Sequence, residues 1–366
     1  MKTRCLIALL CFLPWITDLS AQKTQTENLF IITLDGLRWE ELFGGYVDSF
    51  LDNRDLTSGK EAIIEAFGGE NSEIKRARLM PFFWDSIGTK GQLYGNRHYD
   101  NKVNLTNIFW FSYPGYNEIL TGYSDGRINS NKKMPNPNVT VLEWINNMPE
   151  YRGRVAAFGS WDVFPYIVNE ERSGIPVNAG YRTAQGDDLS EREKFLNELT
   201  YESPLLWGGV RPDFLTHHYM MEYLKKYHPR VTFMSYGETD DFAHDGSYNR
   251  YLTSANRTDR MIGELWDYLQ SDPVYRGKTT IIITTDHGRG NSPMTEWKNH
   301  GRKTIGSNAI WMAVLGPDTP AIGEMKNSGQ YWQNQVAKTA AAFLGLDYSS
   351  KEEEVGKAIP SMIKAQ

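Results

Sequence analysis

The 366-residue chain has almost no cysteine: two, Cys5 and Cys11, both within its first 21 residues. It has no long apolar run beyond those residues, no excess of basic charge, no internal repeat and no Pro/Gly/Ser-rich linker. Each absence excludes something. The N-terminal run starts with Lys2 and Arg4, continues as about 12 apolar residues through Ile16 with Pro14 inside it, and ends at Ala21. It is too short to span a bilayer and matches a secretory signal peptide, so residues 1–21 are expected to be cleaved. Ala8, Leu9 and Leu10 before Cys11 lack the small-residue character of a lipoprotein site. The mature chain would then have no disulfide, no thiol nucleophile and no thiolate metal site. The expected compartment is secreted or periplasmic, with no membrane span after cleavage. The net charge is −6, and −7 once Lys2, Arg4 and Asp18 are removed, so no basic field exists for nucleic-acid binding.

What remains is an ordinary folded composition, 40% hydrophobic and 23% charged. Short apolar runs recur at Leu29–Leu34, Val155–Phe158, Val231–Tyr236, Thr279–Thr285 and Ala309–Leu315. Their hydrophobicity is continuous rather than alternating, which marks strands buried on both faces. Helical spacing lies between or after them, at Phe214–Tyr227, Ser254–Leu269 and Tyr331–Leu344. The pattern predicts an α/β fold, a largely parallel central sheet with helices on both faces. The polar, glycine-rich stretches 36–110 and 165–210 read as insertions and long loops in one domain covering 22–366.

In such sheets the chemistry collects past the carboxyl ends of the strands. Three predicted strands run into acids there: Asp35, then Asp240 with His244 four residues on, then Asp286 next to His287. A single such acid would be a turn or a cap; three, two of them with histidine, suit Zn²⁺ or a similar ion. His300, between Asn299 and Gly301, reads as a loop ligand. His98, His217, His218 and His228 read as surface or packing residues. The six candidates Asp35, Asp240, His244, Asp286, His287 and His300 suffice for two divalent ions, zinc in first place, with open positions for a displacement. With no thiol available, the nucleophile is sought among hydroxyls. Ser112 follows an aromatic run and precedes Tyr113-Pro114-Gly115-Tyr116, with a helix expected from Pro114 onward. Serving only as the helix cap is its plain alternative role.

The order Asp35, Ser112, Asp240-x-x-x-His244, Asp286-His287, His300 resembles the alkaline phosphatase superfamily. It is most similar to the type I phosphodiesterase/nucleotide pyrophosphatase branch, through Ser112-Tyr-Pro114, Thr121-Gly122 and Leu34-Asp35-Gly36. The resemblance spans Asp35 to His300 and implies an alkaline-phosphatase-like fold and a metal-dependent phosphoric ester hydrolase. It implies that Asp240, His244 and His300 bind one ion, and that Asp35, Asp286 and His287 bind the second, with Ser112 bridging to it. Ser112 would attack phosphorus and carry a phosphoseryl intermediate. Asn129 or Asn131, about 20 residues on, would hold a phosphoryl oxygen, or else form a polar turn. The expected partner is a small-molecule phosphate ester, monoester or diester.

The chain also departs from its relatives. Some phosphomonoesterases of the superfamily carry a Lys-x-Arg pair where this chain has Ser160-Trp161-Asp162-Val163. Arg38, Arg289 and Arg302 could take over, but are expected to be solvated. The serine sulfatases' Ser-x-Pro-x-Arg lacks its arginine here, because Tyr116 stands in that place. A sulfatase of the same fold is the first alternative, and an inactive secreted binding protein the second. A cofactor-independent phosphoglycerate mutase is disfavoured by the leader and the shorter chain.

Overall fold

The computed structural model describes residues 24–364. The expected signal peptide, 1–21, lies outside the described residues.

Among the described residues, eleven strands form two sheets. In chain order they are β1 (Asn28–Leu34), β2 (Gln92–Tyr94), β3 (Asn101–Asn104), β4 (Val155–Gly159), β5 (Val177–Ala179), β6 (Val231–Tyr236), β7 (Thr279–Thr284), β8 (Ala309–Ile310), β9 (Met312–Leu315), β10 (Gly323–Glu324) and β11 (Gly329–Trp332). The large sheet has the order β10-β2-β9-β7-β1-β6-β4-β5. Its core β5-β4-β6-β1-β7 is parallel, and β9 closes it antiparallel to β7. β11, β3 and β8 make a second, small sheet. The α/β fold with a largely parallel sheet is therefore present.

Every residue of β1, β6 and β7 is buried. Side chains alternate across the pleat. Leu29, Ile31, Val231, Phe233 and Ile282 enter one apolar cluster, and Phe30, Ile32, Met234, Ile281 and Ile283 the opposite one. Each such side chain contributes about 1.5–3 kcal/mol by leaving water. Helix Val336–Phe343 covers the first face and Tyr248–Ser271 the second. The register sets Leu34 beside Tyr236 and Thr33 beside Thr284, so the carboxyl ends of β6, β1 and β7 open on the same edge.

Three expectations need correction. The run Ala309–Leu315 is not one strand: it breaks at the fully buried Trp311, whose Nε1 donates to Leu37 O at 2.8 Å. Satisfying that indole outweighs continuing the ladder, and the two pieces go to different sheets. Tyr331–Leu344 is not all helix either, since Tyr331 and Trp332 belong to β11. Residues 36–110 and 165–210 contain short helices, notably Lys60–Phe67, Ser72–Leu79 and Glu191–Glu202, in addition to β2, β3 and β5. Side-chain caps set two of them: Asn71 accepts from Ile74 N–H, and Ser190 forms a capping box with Glu193.

Candidate metal centre and nucleophile

The three middle strands deliver their acids to one place. Asp35 follows β1, and its N–H donates to Tyr236 O at the end of β6 at 2.9 Å. Asp240 and His244 lie on the helix Glu238–His244 that follows β6. At four residues apart they share one face of that helix, with His244 Nε2 3.3 Å from Asp240 Oδ2. Asp286 and His287 follow β7 and are fully buried. The loop past Met294–Lys298 brings His300 in, with its Nε2 3.0 Å from that of His244 and its ring stacked 3.9 Å from the His287 ring.

Two donor groups result: Asp240 with His244 and His300, and Asp35 with His287 and Asp240. Asp286 Oδ2 lies 3.4 Å from His287 Nε2, and Asp35 Oδ1 lies 3.3 Å from it. Asp240 thus reaches both groups, where the resemblance assigns it to one. The residues fit divalent ions. Asp35 Oδ1 and Asp286 Oδ2 are buried without a hydrogen-bond partner, and both lie beside the ring nitrogen that His287 leaves free when Nδ1 donates to Gly288 O at 2.9 Å. Converging buried orphan acceptors cost free energy unless a cation joins them.

The electrostatics agree. Burial, then repulsion from neighbouring carboxylates, raises Asp35 and Asp286 above the usual carboxyl range. Burial alone would lower His287, but Asp286, Asp35 and Asp240 draw a proton onto it and lift it to about 9. Burial acts to raise Asp240, yet Arg289, His244 and His300 outweigh it and hold Asp240 well below its ordinary value. Carboxylates that draw a proton so strongly also draw a divalent ion.

Ser112 is the first residue of the helix Ser112–Thr121, two residues earlier than expected. Pro114 fits the first helical turn, where its missing N–H has no partner to lose. Phe111 holds the cap position without a side-chain hydrogen bond, so Ser112 is not the cap. Its Oγ faces the second donor group, 3.4 Å from His287 Nε2, at a helix N-terminus that favours an alkoxide. Gly115 allows this approach: a Cβ there would meet Asp286 O at 2.3 Å. Just upstream, Trp110 adopts φ 55, a left-handed backbone unusual for so bulky a residue. Asn107 Oδ1 secures that turn by accepting from the N–H groups of Phe109 and Trp110.

Of the two asparagines, Asn131 lines the same cleft as Ser112, about 210 Å³ in volume. Its Oδ1 accepts from Tyr113 N–H at 3.0 Å, and no hydrogen bond among the described residues engages its Nδ2. Asn129 is not brought to the site; it donates to Gly126 O in a separate hollow. Arg38 and Arg289 are not solvated but fully buried. Arg38 pairs with Glu41, and Arg289 binds Asp240 and the carbonyls of Trp297 and Lys298. Arg302 is exposed. Among the other histidines, His217 packs against Tyr236 OH at 2.9 Å, and burial depresses it to about 3. None of His98, His217, His218 and His228 joins a donor group.

Sequence reasoning missed the supporting shell. Tyr116 OH donates to Asp35 Oδ2 at 2.8 Å, Thr239 Oγ1 donates to Asp35 O at 2.5 Å, and Gln333 donates to Thr285 O and Asp286 O. Tyr116 sits four residues after Ser112, a helical spacing that could have flagged it. Asp241, beside Asp240, was also missed. It lines the cleft, and burial followed by repulsion from Asp240, Asp35, Asp213 and Asp245 pushes its carboxyl up to about 9.

An α/β sheet with two Asp/His donor groups at its carboxyl edge and a helix-borne hydroxyl against them defines the alkaline phosphatase superfamily. Within it, a profile of the type I phosphodiesterase/nucleotide pyrophosphatase family matches residues 64–343, and the chain belongs to that family. The match spans more than half the chain and includes every candidate ligand except Asp35. The fold is similar to that of the alkaline phosphatase PafA: TM-score 0.60, 10% identity, 94% of this chain and 99% of that one covered. It is also similar to murine ectonucleotide pyrophosphatase/phosphodiesterase 5, with TM-score 0.53, 13% identity and coverage of 90% and 97%. For the lipoteichoic acid synthase LtaP from Listeria monocytogenes the TM-score is 0.55, the identity 13% and the coverage 92% and 75%. A 2-O GAG sulfatase aligns as well, at TM-score 0.56 and 11% identity over 92% of this chain and 74% of its own. No curated protein matches the chain significantly in sequence.

Proposed function

We propose that the protein is an exported two-metal phosphodiesterase that works through a phosphoseryl intermediate on Ser112. The observation that carries this is the Ser112 hydroxyl, 3.4 Å from His287 Nε2 and beside the unpartnered oxygens of Asp35 and Asp286. Asp240, His244 and His300 would hold one ion, and Asp35, Asp286, His287 and Ser112 the other, with Asp240 placed to contact both. Three imidazoles in the set favour zinc over calcium. When bound, the two ions would supply Lewis-acid stabilisation of the phosphoryl oxygens and a lowered hydroxyl pKa.

Ser112 Oγ attacks phosphorus in line, its bond to phosphorus forming as the ester bond to the leaving alcohol breaks. Asn131 Nδ2 would donate to a non-bridging oxygen; its position in the cleft lining supports this. Water then opens the phosphoseryl ester and returns the serine. The helix N-terminus under Ser112 stabilises the developing charge at both stages. Among the described residues no lysine or arginine lines the cleft, so a second phosphate charge has no basic partner, which favours diesters over monoesters. Export would follow from the leader at 1–21.

Parallel assays of aryl phosphate diester, aryl phosphate monoester and aryl sulfate test this reading. The diester is expected to turn over fastest. Sulfate as the preferred substrate would replace the reading with a sulfatase, and inactivity on all three would point to a binding protein.

A further inference from the structure

The helix Ser112–Thr121 starts without the capping side chain that ordinarily fixes a helix entry, since Phe111 at the cap position offers no side-chain acceptor. What fixes this entry lies on either side of it. Glu118, on the same helix, is fully buried. Its Oε1 accepts from Thr106 N–H at 2.8 Å and from Thr106 Oγ1 at 2.9 Å. Its Oε2 accepts from the N–H and the Nδ2 of Asn107, both at 2.8 Å. A carboxylate is costly to desolvate, and here four donors offset that cost in place of a cation.

Asn107 passes the restraint on. Its Oδ1 takes the N–H groups of Phe109 and Trp110, each at 3.0 Å, and closes the turn in which Trp110 is left-handed. A bulky residue keeps that conformation only where its surroundings over-determine it. Ser112 follows two residues later. Carboxylate, amide and turn thus form one bracket, in which the helix of the nucleophile grips the chain just upstream of the nucleophile. Glu118 lies outside the cleft lining and both donor groups, so the chemistry proposed above does not use it. Resting on the phosphodiesterase reading, we propose that Glu118 and Asn107 are positioning residues that aim Ser112 Oγ at phosphorus. They act through the Trp110 turn, on the direction in which the chain enters the helix, and leave metal binding and substrate capture to other residues. In-line attack needs the reacting atoms about 3–3.5 Å apart, and a misplacement of about 1 Å can cost about a hundredfold in rate.

The test is hydrolysis of bis(p-nitrophenyl) phosphate, with metal content and melting temperature measured on the same samples. Glu118→Gln replaces one acceptor oxygen by an amide donor among the donors of Thr106 and Asn107. It is expected to lower kcat and kcat/KM together by about 10–100-fold, with KM and metal content within about twofold of the wild type. Asn107→Ala removes the acceptor of the turn, leaves Glu118 its backbone donors and should act alike, so the test survives if the Glu118 variant does not fold. Combining Glu118→Gln with Asn107→Asp reverses donor and acceptor between the two positions at unchanged charge, and should recover most of the lost rate. A merely structural role would lower the melting temperature and leave kcat/KM at the wild-type value below it. That result in both single variants overturns the proposal while the phosphodiesterase reading stands. So does a loss of activity that follows loss of metal, or a combined variant no faster than Glu118→Gln alone. A wild type inactive on the diester overturns both.

Discussion

Asp35 shows how much one side chain depends on its neighbours. One of its oxygens faces the ion site, while Tyr116 OH holds the other at 2.8 Å and is itself 3.0 Å from Ser235 Oγ. Outer partners of this kind orient a ligand, and their loss typically costs about 10–100-fold in metal affinity or activity. Tyr116→Phe is therefore expected to weaken metal binding by about that factor with the fold retained; competition with a chromophoric chelator measures it, and unchanged affinity would make Tyr116 mere packing. The convergence of the candidate ligands was legible in the sequence, because acids after apolar runs and an Asp-x-x-x-His spacing are local patterns. Asp241 was not, since one Asp beside another gives no clue to which is the ligand. Asn129 and Asn131 could not be separated by spacing, because the turn that aims Asn131 at Tyr113 N–H is tertiary. Arg289 was misjudged because its partner Asp240 is distant in the chain, and Arg38 because a local pairing with Glu41 gives no sign that the pair is buried under the helix Tyr248–Ser271.

At the scale of elements, the helix Ser112–Thr121 has to lie directly on the end of β7. Gly115 permits it, since any side chain there would strike the backbone of Asp286. Gly115→Ala is expected to destabilise by about 1–3 kcal/mol through overpacking and to cut kcat/KM by pulling Ser112 away from His287. Urea unfolding and diester kinetics together check this, and a variant stable and active like the wild type would contradict the close approach. The buried strands were legible because parallel sheets need continuous apolar runs. The helical pieces of 36–110 were not: they are short, capped by single residues such as Asn71, and stabilised by packing rather than by period. A helix that starts at Ser112 was masked by Pro114, which reads as a start signal two residues too late.

For the whole molecule, convergence of β6, β1 and β7 concentrates buried carboxylates that cations would offset, so the proposed metal binding and stability are expected to be linked. Stripping the metal with a chelator is expected to lower the melting temperature, and zinc to restore it; saturation at a thousand times Kd contributes about 4 kcal/mol. A melting temperature indifferent to both would deny a buried ion site. A separate pH dependence comes from Asp259 on the helix Tyr248–Ser271. Burial raises its carboxyl to about 7, although the N–H groups of Phe82 and Phe83 oppose the rise. Its folded value lies above the unfolded one of about 3.9, so the folded state holds the proton more tightly. Its contribution is complete below about pH 4 and is lost as pH rises to about 7, a slope of about 1.4 kcal/mol per pH unit. Asp259→Asn should flatten that part of the stability profile, and an identical profile would show that the group does not titrate there. The central claim, a serine nucleophile set against a two-ion centre, is tested most directly by Ser112→Ala, with metal content and diester turnover measured on the same sample. The account predicts two zinc equivalents per chain and a loss of turnover of about a thousandfold or more. Wild-type rates in that variant, or a single calcium in the wild type, would contradict it.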